Sequence, residues 1–266
     1  MRKRKDNMDL RKQIEEAARE AGKILLSAND IQAATDEKSG HANFVTMYDK
    51  KVQEFLFAEL ARVLPEASFM GEEEGAECFR EEYRRGYAFV IDPIDGTTNF
   101  IKAYRPSVVS IGLLLDGKPF IGVVYNPYHG ILYSAERGKG AYRNGVLIHS
   151  SGEPLERSIF SMGTAPYYEE LTARSFRIAE NYLHRTIDMR RSGTAAWDLC
   201  LLAEGITGLY YELRLGLWDF AAGAVIAGEA GCVLTDIDGN PLTYDGPSSV
   251  LAVSAGVARE NYMPEA

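Results

Sequence analysis

Apolar residues recur at Leu10, Ile14, Ala17, Ala21, Ile24 and Leu25, the three-and-four spacing of a single helix face. The spacing predicts an amphipathic helix over 9–27. The polar stretch 28–43 reads as a loop. Thr46 followed three residues later by Asp49 is an acidic form of the capping box. Val52, Phe55, Leu56, Leu60 and Val63 give the helix it opens a buried face, and Pro65 ends it. The period then shortens. Runs at 68–70, 87–91, 107–115 and 120–125 carry the apolar patterning of strands. Asp116-Gly117 and Asn144-Gly145 stand between such runs, and each predicts a tight hairpin.

Beyond Ser150-Ser151-Gly152-Glu153-Pro154 the pattern alternates between strand and helix. Strands are expected at 158–162, 188–190, 208–212, 233–235 and 250–253. Helices are expected at 169–184, at 195–203 before Gly205, and at 219–229 before Gly231. The chain is therefore expected to divide into an α+β half, 1–149, and an α/β half, 150–266.

The 266 residues, 46% of them hydrophobic, are enough for a full core. A net charge of −9 excludes a nucleic-acid backbone as a general partner. Cys78, Cys200 and Cys232 are odd in number and widely spaced, which fits reduced thiols. The basic start, residues 1–5, is followed by no apolar segment and reads as a solvated tail. No apolar run approaches the length of a membrane span. A cytoplasmic protein that binds neither membrane nor nucleic acid is expected.

The chemistry concentrates in Asp92-Pro93-Ile94-Asp95-Gly96-Thr97, directly after an apolar run. Pro93 stiffens the backbone, Ile94 can offer its carbonyl to a cation, and Gly96 permits close approach. Trp218-Asp219-Phe220-Ala221-Ala222-Gly223 and Gly71-Glu72-Glu73-Glu74-Gly75 supply further acids. In isolation Asp219 reads as a helix cap and the glutamates as a solvated run. Together, Glu72, Asp92, Asp95 and Asp219 would repel. Two unit charges ~4 Å apart cost about 4 kcal/mol at an effective dielectric of ~20. Divalent cations relieve such a cost, and oxygen donors suit Mg²⁺.

These blocks, with Phe44-Val45-Thr46-Met47-Tyr48-Asp49 and Arg190-Arg191-Ser192-Gly193-Thr194-Ala195-Ala196, resemble the inositol monophosphatase family of Mg²⁺-dependent, lithium-sensitive phosphatases. The resemblance spans nearly the whole chain. It implies a layered αβαβα sandwich of the inositol monophosphatase and fructose-1,6-bisphosphatase type, a phosphoric monoester hydrolase and a homodimer. It implies two to three Mg²⁺ ions. One would be held by Glu72, Asp92 and the Ile94 carbonyl, a second by Asp92, Asp95 and Asp219, and a weaker third near Glu72. Catalysis would fall to Glu72, Thr97 and Asp49, which orient a metal-activated water for in-line attack on phosphorus. Asp95, Gly96, Thr97, Gly193, Thr194, Ala195 and Glu212 would contact substrate, a small phosphorylated polyol or sugar, myo-inositol monophosphate foremost.

The same scaffold also resembles phosphatases of fructose-1,6-bisphosphate, adenosine 3′,5′-bisphosphate, NADP and histidinol phosphate. A non-catalytic regulatory protein on this scaffold is the rival of another class. Asn43 stands where relatives frequently have an acid, outside the expected metal shell. Gly138-Lys139 is followed by Gly140, so it is not a phosphate-binding loop of the P-loop kind. His41, His129, His149 and His184 have no zinc spacing, and Asp236-Ile237-Asp238-Gly239 reads as a turn.

Overall fold

The computed structural model describes residues 9–29, 31, 35–39, 43–74 and 80–257. The basic stretch 1–5, His41 and Cys78 lie outside the described residues. Helix α1 (Leu10–Leu26) is capped by Asp9, whose Oδ1 accepts the Arg11 N–H at 3.2 Å. Helix α2 (Met47–Val63) opens on the expected capping box. Thr46 Oγ1 accepts N–H groups of Tyr48 and Asp49, and Asp49 Oδ2 accepts the Thr46 N–H at 2.7 Å. The stretch read as a loop, 28–43, contains instead β1 (Thr35–Ser39), which pairs antiparallel with β2 (Asn43–Thr46) as a ribbon. Main-chain pairing forms it, and Thr-Asp-Glu-Lys-Ser has no apolar alternation to announce it.

Seven strands follow in chain order to make one sheet: β3 (Ser68–Gly71), β4 (Tyr87–Asp95), β5 (Val108–Leu115), β6 (Lys118–Asn126), β7 (Ile131–Glu136), β8 (Ala141–Arg143) and β9 (Val146–Ile148). β3 runs parallel to β4, and each later pair is antiparallel. Both hairpins form as expected. Asp116 and Gly117 take φ of 53° and 69°, and Asn144 and Gly145 take 48° and 80°, the left-handed pair that matches strand twist. β7 escaped the periodicity because both its faces are covered, which removes the alternation.

The second sheet has the order β11 (Asp188–Arg190), β10 (Ile159–Met162), β12 (Leu209–Leu215), β14 (Ser248–Val253), β13 (Val233–Thr235). Helix α3 (Thr97–Lys102) follows β4, and α4 (Thr172–Leu183) follows a 3-10 turn, Glu169–Leu171. Helices α5 (Ala195–Ala203) and α6 (Leu217–Glu229) complete the set.

The apolar faces sort these elements into five layers. Phe89, Ile91, Ile111 and Val123 of the large sheet pack under α1 and α2. Ala88, Val90, Leu114 and Val124, one residue out of phase, face α5 and α6. Tyr210, Val250 and Ala252 of the small sheet cover those helices from the other side, and Phe160, Tyr211 and Val253 pack beneath α4. The result is the expected αβαβα sandwich. Lying between two sheets, α5 and α6 are apolar on nearly every side and rich in small residues. Gly122 lets α6 approach β6 closely: a Cβ there would meet the Ala222 carbonyl oxygen at 2.3 Å. Cys200 and Cys232 are buried free thiols of this core. Among the described residues no helix is long and apolar enough to cross a membrane.

Candidate active site

A cleft of about 550 Å³ opens where β4 ends and α3 begins, facing the N-terminal ends of α5 and α6. Glu72, Asp92, Ile94, Asp95, Gly96, Thr97 and Asp219 line it, as do Gly193, Thr194, Ala195 and Glu212. Asp49 is fully buried behind Thr97. The structure thus brings every candidate site residue to one place.

The strand β4 does not stop before the acids, as expected, but runs through them to Asp95. Residues three apart on a regular strand point to opposite faces. Here the pairing with β5 slips: Asp92 sits opposite Ser110 and Asp95 opposite Val108, so β4 holds one extra residue. That bulge cancels the change of face, and both carboxylates reach the cleft. Pro93 is tolerated because β3 has ended, its Gly71 lying opposite Ile91. Asp92 Oδ1 accepts the Ile94 N–H at 2.9 Å, while the Ile94 side chain is buried.

Each remaining group is fixed by a neighbouring element. Asp95 Oδ2 accepts the Ala196 N–H at 2.7 Å, which ties β4 to the start of α5. Helix α6 begins at Leu217, two residues earlier than expected, so Asp219 lies inside its first turn. Its Oδ2 accepts the Gly216 N–H at 2.6 Å. Asp49 accepts the Thr46 hydroxyl on Oδ2 at 2.6 Å and the Thr97 hydroxyl on Oδ1 at 3.3 Å. Thr97 Oγ1 also lies 3.2 Å from the Ile94 carbonyl. Glu212 is 8% exposed, and both its oxygens are engaged, by the Ala165 N–H and the Tyr210 hydroxyl.

Sequence reasoning missed Asn99, Asp198 and Tyr167. Asn99 Nδ2 donates to the Pro106 and Ser192 carbonyls at 2.8 Å each, joining α3 to the turn that presents Gly193. Asp198, Tyr167 and Arg214 line the cleft without belonging to any spaced motif.

The electrostatics are those of crowded acids. Burial raises the pKa of Asp92 well above the ordinary range, and the charges of Glu72, Asp95, Asp219 and Asp49 raise it further. Burial dominates for Asp95 and Asp219 also, with the Ala196 and Gly216 N–H groups opposing it. Burial raises Glu212, and carries Asp198 to about 7. Among the described residues, no three His, Cys, Asp or Glu side chains are drawn tightly enough to enclose an ion. The three aspartates are held to backbone N–H groups instead. In kind, however, the donors fit a hard divalent cation: all are oxygens, and positive charge would relieve all of them at once.

An acid-lined cleft between the sheets of a five-layer α/β sandwich suits a hard cation together with an anionic ligand. The model of the inositol monophosphatase family matches residues 6–266. Human inositol monophosphatase 1 is 34% identical over 227 residues, 84% of this chain and 82% of that protein. The inositol monophosphatase of Anabaena superposes with a TM-score of 0.78 at 31% identity, covering 93% of this chain and 90% of its own. The staphylococcal SaIMPase-II with inositol monophosphate bound gives 0.79 at 29% identity, covering 96% and 94%, and that protein has also been solved with 2′AMP bound. The chain belongs to the inositol monophosphatase family, whose members are phosphoric monoester hydrolases and generally metal-dependent.

Proposed function

We propose that the protein is a Mg²⁺-dependent phosphomonoesterase acting on a small cyclic polyol phosphate, with myo-inositol monophosphate as the foremost substrate. One observation carries the reading. Four carboxylates from three parts of the chain, Glu72, Asp92 with Asp95, and Asp219, line a single cleft beside a part-buried Thr97–Asp49 hydrogen bond.

Glu72, Asp92 and the Ile94 carbonyl would hold one ion, and Asp92, Asp95 and Asp219 a second, with a weaker third near Glu72. Bound there, such cations supply Lewis acidity toward a phosphoryl group and make water a stronger acid. The protein's own groups do the positioning. Thr46 fixes Asp49 Oδ2, which leaves Oδ1 to hold the Thr97 hydroxyl. The Thr97 oxygen thereby stands ready to take a hydrogen bond from an attacking water, with Asp49 behind it to draw off positive charge. Gly96 and Thr97 cradle the phosphoryl oxygens, while Gly193, Thr194 and Ala195 form the wall on the alcohol side. Lithium sensitivity, a homodimer and a cytoplasmic setting accompany this reading, on the strength of the family.

A second reading keeps the chemistry and enlarges the substrate. Arg191 and Arg214 rim the acidic cleft and suit a further anionic or nucleotide group. A panel decides between them: phosphate release from myo-inositol 1-phosphate, fructose-1,6-bisphosphate, 2′-AMP, adenosine 3′,5′-bisphosphate, NADP and histidinol phosphate, each across a Mg²⁺ titration. The highest kcat/KM is expected for the inositol ester. No Mg²⁺-dependent release from any of them would favour a non-catalytic protein.

A further inference from the structure

The cleft mouth carries a loop, residues 163–168, that the sequence does not single out. It joins β10 to the 3-10 turn before α4 and places Ala165, Pro166, Tyr167 and Tyr168 on the cleft wall. Three ties hold it. Glu212 Oε1 accepts the Ala165 N–H at 2.8 Å, Arg191 Nη2 donates to Thr164 Oγ1 at 3.0 Å, and Arg214 lies over the Tyr168 ring at 5.0 Å. Ala165 stands at φ 44°, in the left-handed region that a residue with a Cβ adopts only under constraint. The Glu212 bond is such a constraint, and Gly163 makes room for it. A Cβ at Gly163 would lie 1.8 Å from Glu212 Oε2.

What the pinned loop presents is Tyr167. Its side chain belongs to a residue 56% exposed, yet it lines the same cleft as Glu72, Asp92, Asp95 and Asp219, and their charges bear on its hydroxyl. A large aromatic left uncovered at the mouth of a polar cleft, on a strained and well-tied loop, is placed to meet a ligand. Its ring offers a flat apolar face with a hydroxyl at the edge. That shape suits the C–H face of a cyclic polyol better than a short open chain.

We propose that Tyr167 is a specificity-determining residue that contacts the alcohol half of a cyclic phosphate ester, and that Glu212 is the positioning residue that holds its loop. The inference rests on the phosphatase reading above. It is tested by phosphate release from myo-inositol 1-phosphate and from glycerol 2-phosphate by the wild type, Tyr167→Ala, Tyr167→Phe and Gly163→Ala. In Tyr167→Ala the preference for the cyclic ester, as a ratio of kcat/KM, is expected to fall about tenfold, mainly through KM. Tyr167→Phe keeps most of it. Gly163→Ala, which drives the Glu212 carboxylate off the loop, loses it again. Adding Tyr167→Ala to Gly163→Ala lowers the ratio no further, whereas a direct contact of Glu212 with substrate would make the two losses add. An unchanged ratio in Tyr167→Ala, or in Gly163→Ala, overturns the proposal. Release from neither ester by the wild type sinks the phosphatase reading instead, and calorimetric binding of the two esters to wild type and Tyr167→Ala then decides the present point by the same ratio.

Discussion

Asp95 belongs at once to the fold and to the cleft. Its Oδ2 closes the junction between β4 and α5 through the Ala196 N–H, while its charge adds to the crowding around Asp92 and Asp219. An amide keeps an oxygen for that junction and removes the charge. Asp95→Asn is therefore expected to retain the wild-type circular dichroism and melting, yet to lose about a hundredfold or more of its phosphate release in millimolar Mg²⁺. A near-wild-type rate would sink the proposed ligand set. Asp198 permits a test by pH. Burial, reinforced by the Glu212 charge, lifts its carboxyl to about 7, against the opposing pull of Ser192 and Arg191. Between an unfolded value of ~3.9 and 7 the native state holds a proton that the unfolded chain has released, so stability falls as pH rises through that window. Above 7 both states are ionised and the penalty is constant. Asp198→Asn should be more stable than wild type at pH 8, with the gap in urea midpoint closing as pH falls toward 4. A gap independent of pH would remove the charge argument.

Element boundaries show where periodicity carries information. Helices α1, α2 and α5 lie within a residue of their expected spans: a capping residue and apolar spacing mark α1 and α2, and Gly205 follows the end of α5. The β1–β2 ribbon and β7 were invisible: β1 has no apolar residue, and β7, covered on both faces, mixes Leu132, Ser134 and Glu136 on one side. The bulge in β4 was likewise illegible, since it is defined by the strand opposite. Contact between elements also sets the place of Asp219, because α6 rests on β6 through Gly122. Gly122→Ala forces a Cβ against the Ala222 carbonyl and is expected to cost about 1–3 kcal/mol. Phosphate release should fall with it as α6 is displaced. Full activity together with an unchanged denaturation midpoint would show that the helix has slack the geometry denies.

At the scale of the whole molecule, two sheets share one pair of helices. α5 and α6 cover the large sheet with one side and the small sheet with the other. We propose, accordingly, that 1–149 and 150–266 are halves of one folding unit. A fragment ending at 149 leaves a face of the large sheet uncovered and is expected to be insoluble or molten, judged by the loss of near-ultraviolet dichroism. A sharply melting fragment would show that the first half folds by itself. The cleft lies between these halves, so an ion bound there stabilises the assembled fold alone. At a Mg²⁺ concentration ~100 times its dissociation constant the gain is about 2.7 kcal/mol. The melting temperature should rise with Mg²⁺ and return on chelation; a melting curve indifferent to both would argue against the ion site.

Most strand and helix periods, the caps of α1 and α2, both hairpin turns and the identity of the acids were legible along the chain, because each depends on residues near one another. Spacing within Asp92 to Thr97 was enough to mark the chemistry. Tertiary structure alone decided that Glu72 and Asp219 face the same cleft, that Asp92 and Asp95 share a side, and that Tyr167 stands at the mouth. Those facts depend on register across strands and on packing between layers, where the partners of each residue come from distant parts of the chain.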